Sequence, residues 1–258
     1  MKPQDHPAPA PHIEQAAQQA ARLETAARPV RRMRSTIFQI YLLAAIIGFS
    51  FLALLASTVA YFPVDLTITR AIQLLHFSGL EPLMVAVSWL GYLPQSIGVV
   101  LVICTTLYLF GFHWEALACV LVAGVDTLLN TLIKVVIHRP RPAADLVHVF
   151  SNVGNYSFPS GHVMFYTAFF GFLFFLVYTL LRRSIRRTVL LVVLGGLVAL
   201  VGFSRIYLGE HWASDVIGAY IMGSLLLSAA VIVYRWGKPR FFANQPVAPE
   251  PPVKPNPS

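Results

Sequence analysis

Residues Thr188–Trp236 read TVLLVVLGGLVALVGFSRIYLGEHWASDVIGAYIMGSLLLSAAVIVYRW. Two apolar runs, Thr188–Ser204 and Trp212–Trp236, make up most of this stretch. Each run approaches the roughly 20 residues that a helix needs to cross about 30 Å of hydrocarbon. The short connection between them carries a cluster of ionisable side chains: Arg205, Glu210, His211 and Asp215. The pattern predicts two membrane-spanning helices whose connection holds polar chemistry.

The rest of the chain has the same apolar character. Of its 258 residues, 57% are hydrophobic and 12% are charged, whereas soluble domains average about 25% charged residues. We therefore expect an all-α, polytopic membrane bundle of about six spans. The predicted spans are Ile37–Tyr61, Leu83–Gly111, Trp114–Ile137, Val163–Leu181, Thr188–Ser204 and Trp212–Trp236. The amphipathic segment Pro63–Pro82 is expected to lie at the membrane interface, and Gly91 and Pro94 are expected to break the second span.

Basic residues cluster beside the apolar runs, as they do in cytoplasmic loops. The clusters are Arg28, Arg31, Arg32 and Arg34; Arg182, Arg183, Arg186 and Arg187; and Arg235, Lys238 and Arg240. With six spans, all three clusters lie on one side, which is predicted to be the cytoplasm. The polar connections, and with them the expected active site, then face the periplasm or exterior of the cell membrane. Because the net charge of +8 resides largely in these clusters, nucleic acid is not an expected partner.

The two polar ends of the chain are distinct from this membrane region. Residues 1–35 are rich in Ala, Pro and Gln and lack the apolar segment of a signal peptide. We expect residues 1–35 to form a disordered cytoplasmic N-terminus and residues 36–237 to form the membrane domain. Residues 238–258 are expected to form a Pro-rich cytoplasmic tail.

The third predicted span carries a polar stripe. Asp126, Asn130 and Lys134 recur every four residues, so they share one helix face. Since each ionisable group exposed to lipid at mid-bilayer costs roughly 2.5–3.5 kcal/mol, the face must be turned to the bundle interior, a neighbouring helix or water. Lys134 lies near the outer end of the span and is expected to reach water. For Asp126 and Asn130, a structural polar pair between helices is an equally good interpretation.

Two arginines follow this span in the sequence Arg139-Pro140-Arg141-Pro142. Proline restricts its own backbone and that of the residue before it, so the segment is expected to be extended. The planar guanidinium group donates paired hydrogen bonds to phosphate. Positive charge at the level of the lipid headgroups is the alternative interpretation of this motif.

Residues 158–163, FPSGHV, immediately precede the fourth apolar run. Ser160 is a favourable N-cap residue, and Gly161 permits close approach of a ligand to the backbone. The free N–H groups at the start of a helix bind anions. His162 is then expected in the first turn, beside that anion.

His211 and Asp215 are four residues apart, so one helical turn would let the carboxylate orient the imidazole. Arg205 adds a further donor for phosphate. Glu210 is expected to face water or a neighbouring side chain and is assigned no role. Three cations, a helix N-terminus and two histidines predict a site for a phosphate undergoing nucleophilic attack. No cluster of carboxylates is placed to hold Mg²⁺, so we expect neither a metal nor another cofactor.

Three segments together resemble the signature motifs of the type 2 phosphatidic acid phosphatase superfamily. They are Lys134 with Arg141-Pro142, then Pro159-Ser160-Gly161-His162, then Ser204-Arg205 with His211 and Asp215. The resemblance implies a membrane phosphatase in which His211 attacks phosphorus, Asp215 orients it and His162 protonates the leaving oxygen. It also implies that Lys134, Arg141, Ser160, Gly161 and Arg205 bind the phosphate. Arg139 lies outside the motif and is expected to be at most an auxiliary group.

The expected substrate is a lipid phosphate or diphosphate, since the predicted site adjoins the bilayer. Phosphatidate, phosphatidylglycerophosphate and undecaprenyl diphosphate are the candidates that the family implies. Phosphotransfer between lipids is an alternative through the same intermediate. Vanadium-dependent haloperoxidase chemistry is disfavoured because those relatives are soluble. A non-catalytic lipid-binding or transport protein is a third alternative, and it gives no reason for the His211–Asp215 pair.

Overall fold

The computed structural model describes residues 28–75, 77–151 and 156–241. Within this part of the chain, residues 28–32, 34 and 241 are described by their backbone alone. The predicted disorder of the N-terminus and of the Pro-rich tail falls almost wholly outside the described residues. The chain divides into two units, Met1–Ala44 and Ala45–Ser258. Everything below on packing and on the site concerns the second unit.

All regular elements in the described residues are helices, which confirms the predicted all-α class. In chain order they are α1 (Arg28–Thr58), α2 (Pro63–Gln73), α3 (Leu80–Trp89), α4 (Leu93–Leu109), α5 (His113–Ile137), α6 (Gly161–Leu180), α7 (Ile185–Tyr207) and α8 (Ala213–Phe241). Five of them are long and apolar enough to cross a membrane, and the bent pair α3–α4 makes a sixth if it counts as one span. The predicted number of spans is therefore confirmed.

The second span is broken, as predicted from Gly91 and Pro94. Helices α3 and α4 meet at an angle of 60°. Pro94 lies in the first turn of α4, where its missing N–H leaves no helical hydrogen bond unmade. The break brings the backbone at Gly91 against the ring of His162, leaving no room for a Cβ atom at this position.

Helix α6 is the most buried of the spans. It contains one π-helical turn, Tyr166–Phe170, whose aromatic residues belong to the main apolar core. Helices α5, α7 and α8 pack around α6. Because α6 lies at the centre of the bundle, its first residue, Gly161, lies in the middle of the polar end.

The amphipathic helix α2 uses its polar face to contact protein. Asp65 and Thr69 are buried, whereas Val64 is exposed. Asp65 accepts a hydrogen bond from the backbone N–H of Phe62 at 3.2 Å, which caps the start of α2. Its other oxygen accepts from the backbone N–H of Ser214 at 2.8 Å. Helix α2 is thereby attached to the first turn of α8.

Candidate active site

The candidate site residues lie at the ends of α5, α6, α7 and α8 and in the connections between them. Two backbone contacts join these segments. The N–H of Ser160 donates to the carbonyl oxygen of Asp215 at 3.3 Å, and Arg141 Nη1 donates to the carbonyl oxygen of Glu210 at 2.7 Å. The three motifs, separated widely in the chain, therefore meet in one place.

His211 lies at the centre of this arrangement and is 1% exposed. Its Nε2 is 3.2 Å from Arg141 Nη1. Because a guanidinium can only donate, Nε2 is the acceptor in this contact and Nδ1 carries the proton. His211 Nδ1 lies 3.6 Å from Asp215 Oδ2, longer than a direct hydrogen bond. The expected helical pair is not formed as such, since α8 begins only at Ala213.

Burial and three cations act on His211 together. Removal from water lowers the pKa of the imidazole well below its ordinary value, and the charges of Arg141, Arg205 and Lys134 lower it further. Of these cations, Arg141 contacts the ring directly. The imidazole is therefore neutral at neutral pH, with a lone pair on Nε2.

Asp215 is held by a network that the motifs do not reveal. Its Oδ1 accepts from Arg139 Nη1 at 2.6 Å, and its Oδ2 accepts from the backbone N–H of Trp212 at 2.8 Å and from Ser157 Oγ. Arg139 also donates to Asp65 Oδ2 at 2.9 Å. We expected Arg139 to be at most an auxiliary group of the phosphate site. Its hydrogen bonds instead connect α2, α8 and the segment that follows α5.

Sequence reasoning missed two members of this network. Asp65 is the single acidic residue in the first turn of α2, and an acidic residue on an amphipathic segment is a signal that could have been noticed. Ser157 offered none, since a serine in a polar loop has no distinguishing pattern.

The start of α6 is supported from α5. Asn130 Nδ2 donates to the carbonyl oxygen of Pro159 at 3.3 Å. A Cβ atom at Gly161 would lie 3.1 Å from Asn130 Oδ1, so glycine permits this close packing. Ser160 Oγ is buried and has no hydrogen-bond partner among residues 28–75, 77–151 and 156–241. Asn130 thus holds the loop, and the hydroxyl and the N–H groups at the start of α6 remain as donors for an anion.

The polar stripe on α5 faces the bundle interior, as predicted. Asp126 is 3% exposed and Lys134 is 8% exposed. The expectation that Lys134 reaches water is wrong, because its side chain is covered at the polar end of the bundle. Asp126 lies two helical turns before Lys134, and its Oδ1 has no hydrogen-bond partner in the described residues.

His162 is half-buried, and its Nε2 is shielded from solvent with no hydrogen-bond partner among the described residues. Its ring meets that of Tyr92 edge-on, with 4.8 Å between centroids. The same tyrosine lies 5.6 Å below the guanidinium of Arg205. Tyr92, at the break in the second span, therefore contacts two of the predicted site residues.

Glu210 does not face water, and its exposed fraction is 1%. It forms an ion pair with Arg205, and its Oε1 accepts from Tyr92 Oη at 3.0 Å and from Ser151 Oγ at 2.8 Å. The physical reason is the tight connection after α7, in which Gly209 has φ +65° and the N–H of Glu210 donates to the carbonyl oxygen of Arg205 at 3.1 Å. The turn folds the carboxylate back onto the arginine. This contact agrees with the alternative expectation, that Glu210 faces a neighbouring side chain.

The acidic side chains of the candidate site are paired with arginines. In the described part of the chain, no group of three or more His, Cys, Asp or Glu side chains is placed to hold a metal ion. The carboxylates of Asp215 and Glu210 are instead paired with Arg139 and Arg205.

The fold and the candidate site define a class of protein: a multi-helix membrane bundle with histidines and arginines gathered at one end. Residues 112–240 match the PAP2 superfamily, and the chain belongs to this family. It is 34% identical over 180 residues to phosphatidylglycerophosphatase B of Bacillus subtilis (strain 168), covering 69% of this chain and 87% of that protein. The chain is thus a multi-pass membrane protein of the PAP2 lipid phosphatase family.

Two solved structures have the same fold. The transmembrane PAP2-type phosphatidylglycerolphosphate phosphatase from Bacillus subtilis superposes with a TM-score of 0.67 at 29% identity, covering 78% of this chain and 98% of that chain. LpxE from Aquifex aeolicus superposes with a TM-score of 0.53 at 20% identity, covering 66% of this chain and 96% of that chain. At this lower identity, the second likeness concerns the fold alone.

Proposed function

We propose that this protein is a lipid phosphatase that works through a phosphohistidine intermediate. The observation that carries the proposal is the environment of His211: a neutral, buried imidazole with an accepting Nε2 among Lys134, Arg141 and Arg205. A phosphate bound by these cations would present its phosphorus to that nitrogen. The identity to phosphatidylglycerophosphatase B supports the same activity.

The first step forms the bond between His211 Nε2 and phosphorus while the bond from phosphorus to the lipid oxygen breaks. His162, protonated once the phosphate dianion is bound, gives that proton to the departing oxygen and becomes neutral. Asp215 stabilises the positive charge that develops on the imidazole, through its position 3.6 Å from Nδ1. Before the substrate binds, Arg141 donates a hydrogen bond to His211 Nε2. When the substrate binds, Arg141 donates to a phosphate oxygen instead and leaves Nε2 free to attack.

The second step hydrolyses the phosphohistidine and regenerates the free imidazole of His211. Neutral His162 accepts a proton from water, the resulting hydroxide forms a bond to phosphorus, and the bond from His211 to phosphorus breaks. Ser160 Oγ and the Gly161 N–H, together with the three cations, bind the phosphoryl oxygens throughout. Each such donor contributes roughly 10²–10³ in rate when it meets the developing charge. Because these protein cations neutralise the phosphate, no metal is required.

The substrate class is a lipid phosphate or diphosphate, with phosphatidate, phosphatidylglycerophosphate and undecaprenyl diphosphate as candidates. An apolar groove of about 570 Å³ lies between α4 and α5 and begins at Leu93, next to Tyr92. Its apolar lining suits an acyl or prenyl chain whose phosphate lies among the candidate site residues.

The proposed location is the cell membrane, with the active site facing the periplasm or exterior. The exposed residues Arg182 and Arg183, in the connection between α6 and α7, and Arg186, in the first turn of α7, lie at the end of the bundle opposite the start of α6. Such basic connections are typical of the cytoplasmic side. We retain the proposed division into a membrane domain, residues 36–237, and cytoplasmic ends, residues 1–35 and 238–258.

The decisive experiment measures phosphate release by the purified protein from the three candidate lipids, with EDTA present throughout. We expect release from at least one lipid, undiminished by EDTA, and its abolition in His211→Gln. The matched control is His113→Gln, at the opposite end of the bundle, which should retain activity. Full turnover by His211→Gln would refute the proposed nucleophile, and a phosphorylated lipid acceptor in place of free phosphate would indicate phosphotransfer.

A further inference from the structure

Glu210 is anchored independently of the arginine with which it pairs. Tyr92, at the break in the second span, and Ser151, in the connection after α5, both donate to Glu210 Oε1. The carboxylate is therefore attached to two other segments of the chain. The ion pair with Arg205 therefore joins two groups that other contacts already hold in place.

The three nitrogen atoms of the Arg205 guanidinium have different surroundings. Its Nη2 meets Glu210, its Nη1 donates to Ser88 Oγ, and its Nε is buried with no hydrogen-bond partner in the part of the chain that the structure describes. A buried guanidinium without any counter-charge is strongly unfavourable. Glu210 supplies that counter-charge, so Arg205 is held in position before a ligand arrives.

The two carboxylates of the site differ in what they do to its cations. Asp215 is paired with Arg139, which lies outside the group of Lys134, Arg141 and Arg205. Glu210 is paired with a member of that group. It therefore places a negative charge at the position where a phosphate would gain from Arg205.

We propose that Glu210 sets the affinity of the site for phosphate by competing with it for Arg205; the proposal rests on the phosphate site described under Proposed function. A phosphate bound to Arg205 shares its guanidinium with a fixed carboxylate, so Arg205 holds the phosphate less strongly than an unpaired arginine would. Tight binding of the phosphate product would slow its release without accelerating the chemical step. Glu210 is thus a specificity-determining residue that keeps the site from being blocked by its own product.

Glu210→Gln tests this directly, because the amide keeps an oxygen for Tyr92 and Ser151 but loses the charge. Titration calorimetry with inorganic phosphate should show binding about tenfold tighter than in the wild type. Inorganic phosphate should inhibit hydrolysis more strongly by the same factor, and both kcat and KM should fall. Glu81→Gln makes the same charge change at an exposed position and should leave phosphate affinity unchanged.

Two further variants show whether the effect passes through Arg205. In an Arg205→Gln background, Glu210→Gln should no longer change phosphate affinity, because the competition has been removed. Tyr92→Phe removes a donor from the carboxylate and strengthens its pull on Arg205, so phosphate should bind more weakly. Tyr92→Phe thus tests a change of phosphate affinity in the opposite direction. It also replaces Glu210→Gln as the test if that variant does not fold.

Equal or weaker phosphate binding by a folded Glu210→Gln protein would overturn the proposal and leave Glu210 as a support for Arg205. An effect of Glu210→Gln that persisted in the Arg205→Gln background would also overturn the proposal. These outcomes differ from failure of the proposed function. A wild-type protein that binds inorganic phosphate but releases none from any lipid would refute the phosphatase activity and leave the binding comparison intact.

Discussion

Arg139 and Asp215 form a buried ion pair, with 2.6 Å between Arg139 Nη1 and Asp215 Oδ1. Both side chains are shielded from solvent, and Arg139 Nη2 reaches Asp65 Oδ2 at 2.9 Å on its other side. One guanidinium thus lies between two carboxylates from different helices. The residue proposed to orient the nucleophile takes its own position from an arginine outside the signature motifs.

Replacing Arg139 by Gln should destabilise the protein by about 3–5 kcal/mol, because it leaves two buried carboxylates without their cation. Thermal unfolding in detergent measures this effect. Arg183→Gln, at an exposed position on the α6–α7 connection, removes the same charge and should leave stability nearly unchanged. Equal unfolding temperatures for the two variants would contradict the role assigned to Arg139.

His162→Gln should reduce turnover of lipid phosphates by roughly 10²–10⁴, since the departing lipid oxygen then receives no proton. The loss should be far smaller for p-nitrophenyl phosphate, whose leaving group needs no protonation. Parallel kinetics on both substrates measure the difference. An equal loss on both would argue against His162 as the general acid.

Gly91→Ala should lower kcat by at least tenfold, because the new methyl group collides with the ring of His162. The magnitude reflects displacement of one proton donor by a fraction of an ångström. Gly98 lies in α4, and a Cβ atom there meets nothing within 4 Å. Gly98→Ala is therefore the matched control and should retain activity; an inactive control would show that an added methyl group elsewhere in the second span is also harmful.

The pH profile should report the lowered pKa of His211. The imidazole attacks in its neutral form, which is populated above its pKa in the folded protein and lost as pH falls through that value. Since burial and the neighbouring cations lower this pKa below 6.5, kcat/KM should persist below pH 6.5 before its acid limb begins. Arg141→Gln removes one of the cations and should move the acid limb to higher pH. A wild-type midpoint at or above 6.5 would contradict the assignment.

The orientation of the protein can be tested with single cysteines. Asp145→Cys and Arg183→Cys place thiols at exposed positions in the connections before α6 and after it, while the native Cys104 and Cys119 are buried. In intact cells, an impermeant maleimide should label Asp145→Cys and leave Arg183→Cys unlabelled until the membrane is opened. The reverse pattern would invert the proposed topology.

The spans were predictable because burial in lipid imposes a strong and local requirement on composition. The break in the second span followed from Gly91 and Pro94, whose backbone restrictions act within a few residues. The partners of Asp215 were not predictable in this way. Arg139 and Ser157 reach it across the fold, and Asp65 is linked to it through Arg139. Their sequence neighbourhoods do not distinguish them from ordinary polar residues.

The sequence by itself determined the class of protein, the number of spans and the residues that carry the three motifs, since each depends on local composition or fixed spacing. Only the tertiary structure decided how charge is distributed among them. Arg139 neutralises Asp215, and Glu210 turns inward to meet Arg205 instead of facing water. The reason is that the energy of a buried charge depends on its neighbours in space, and these come from helices far apart in the chain.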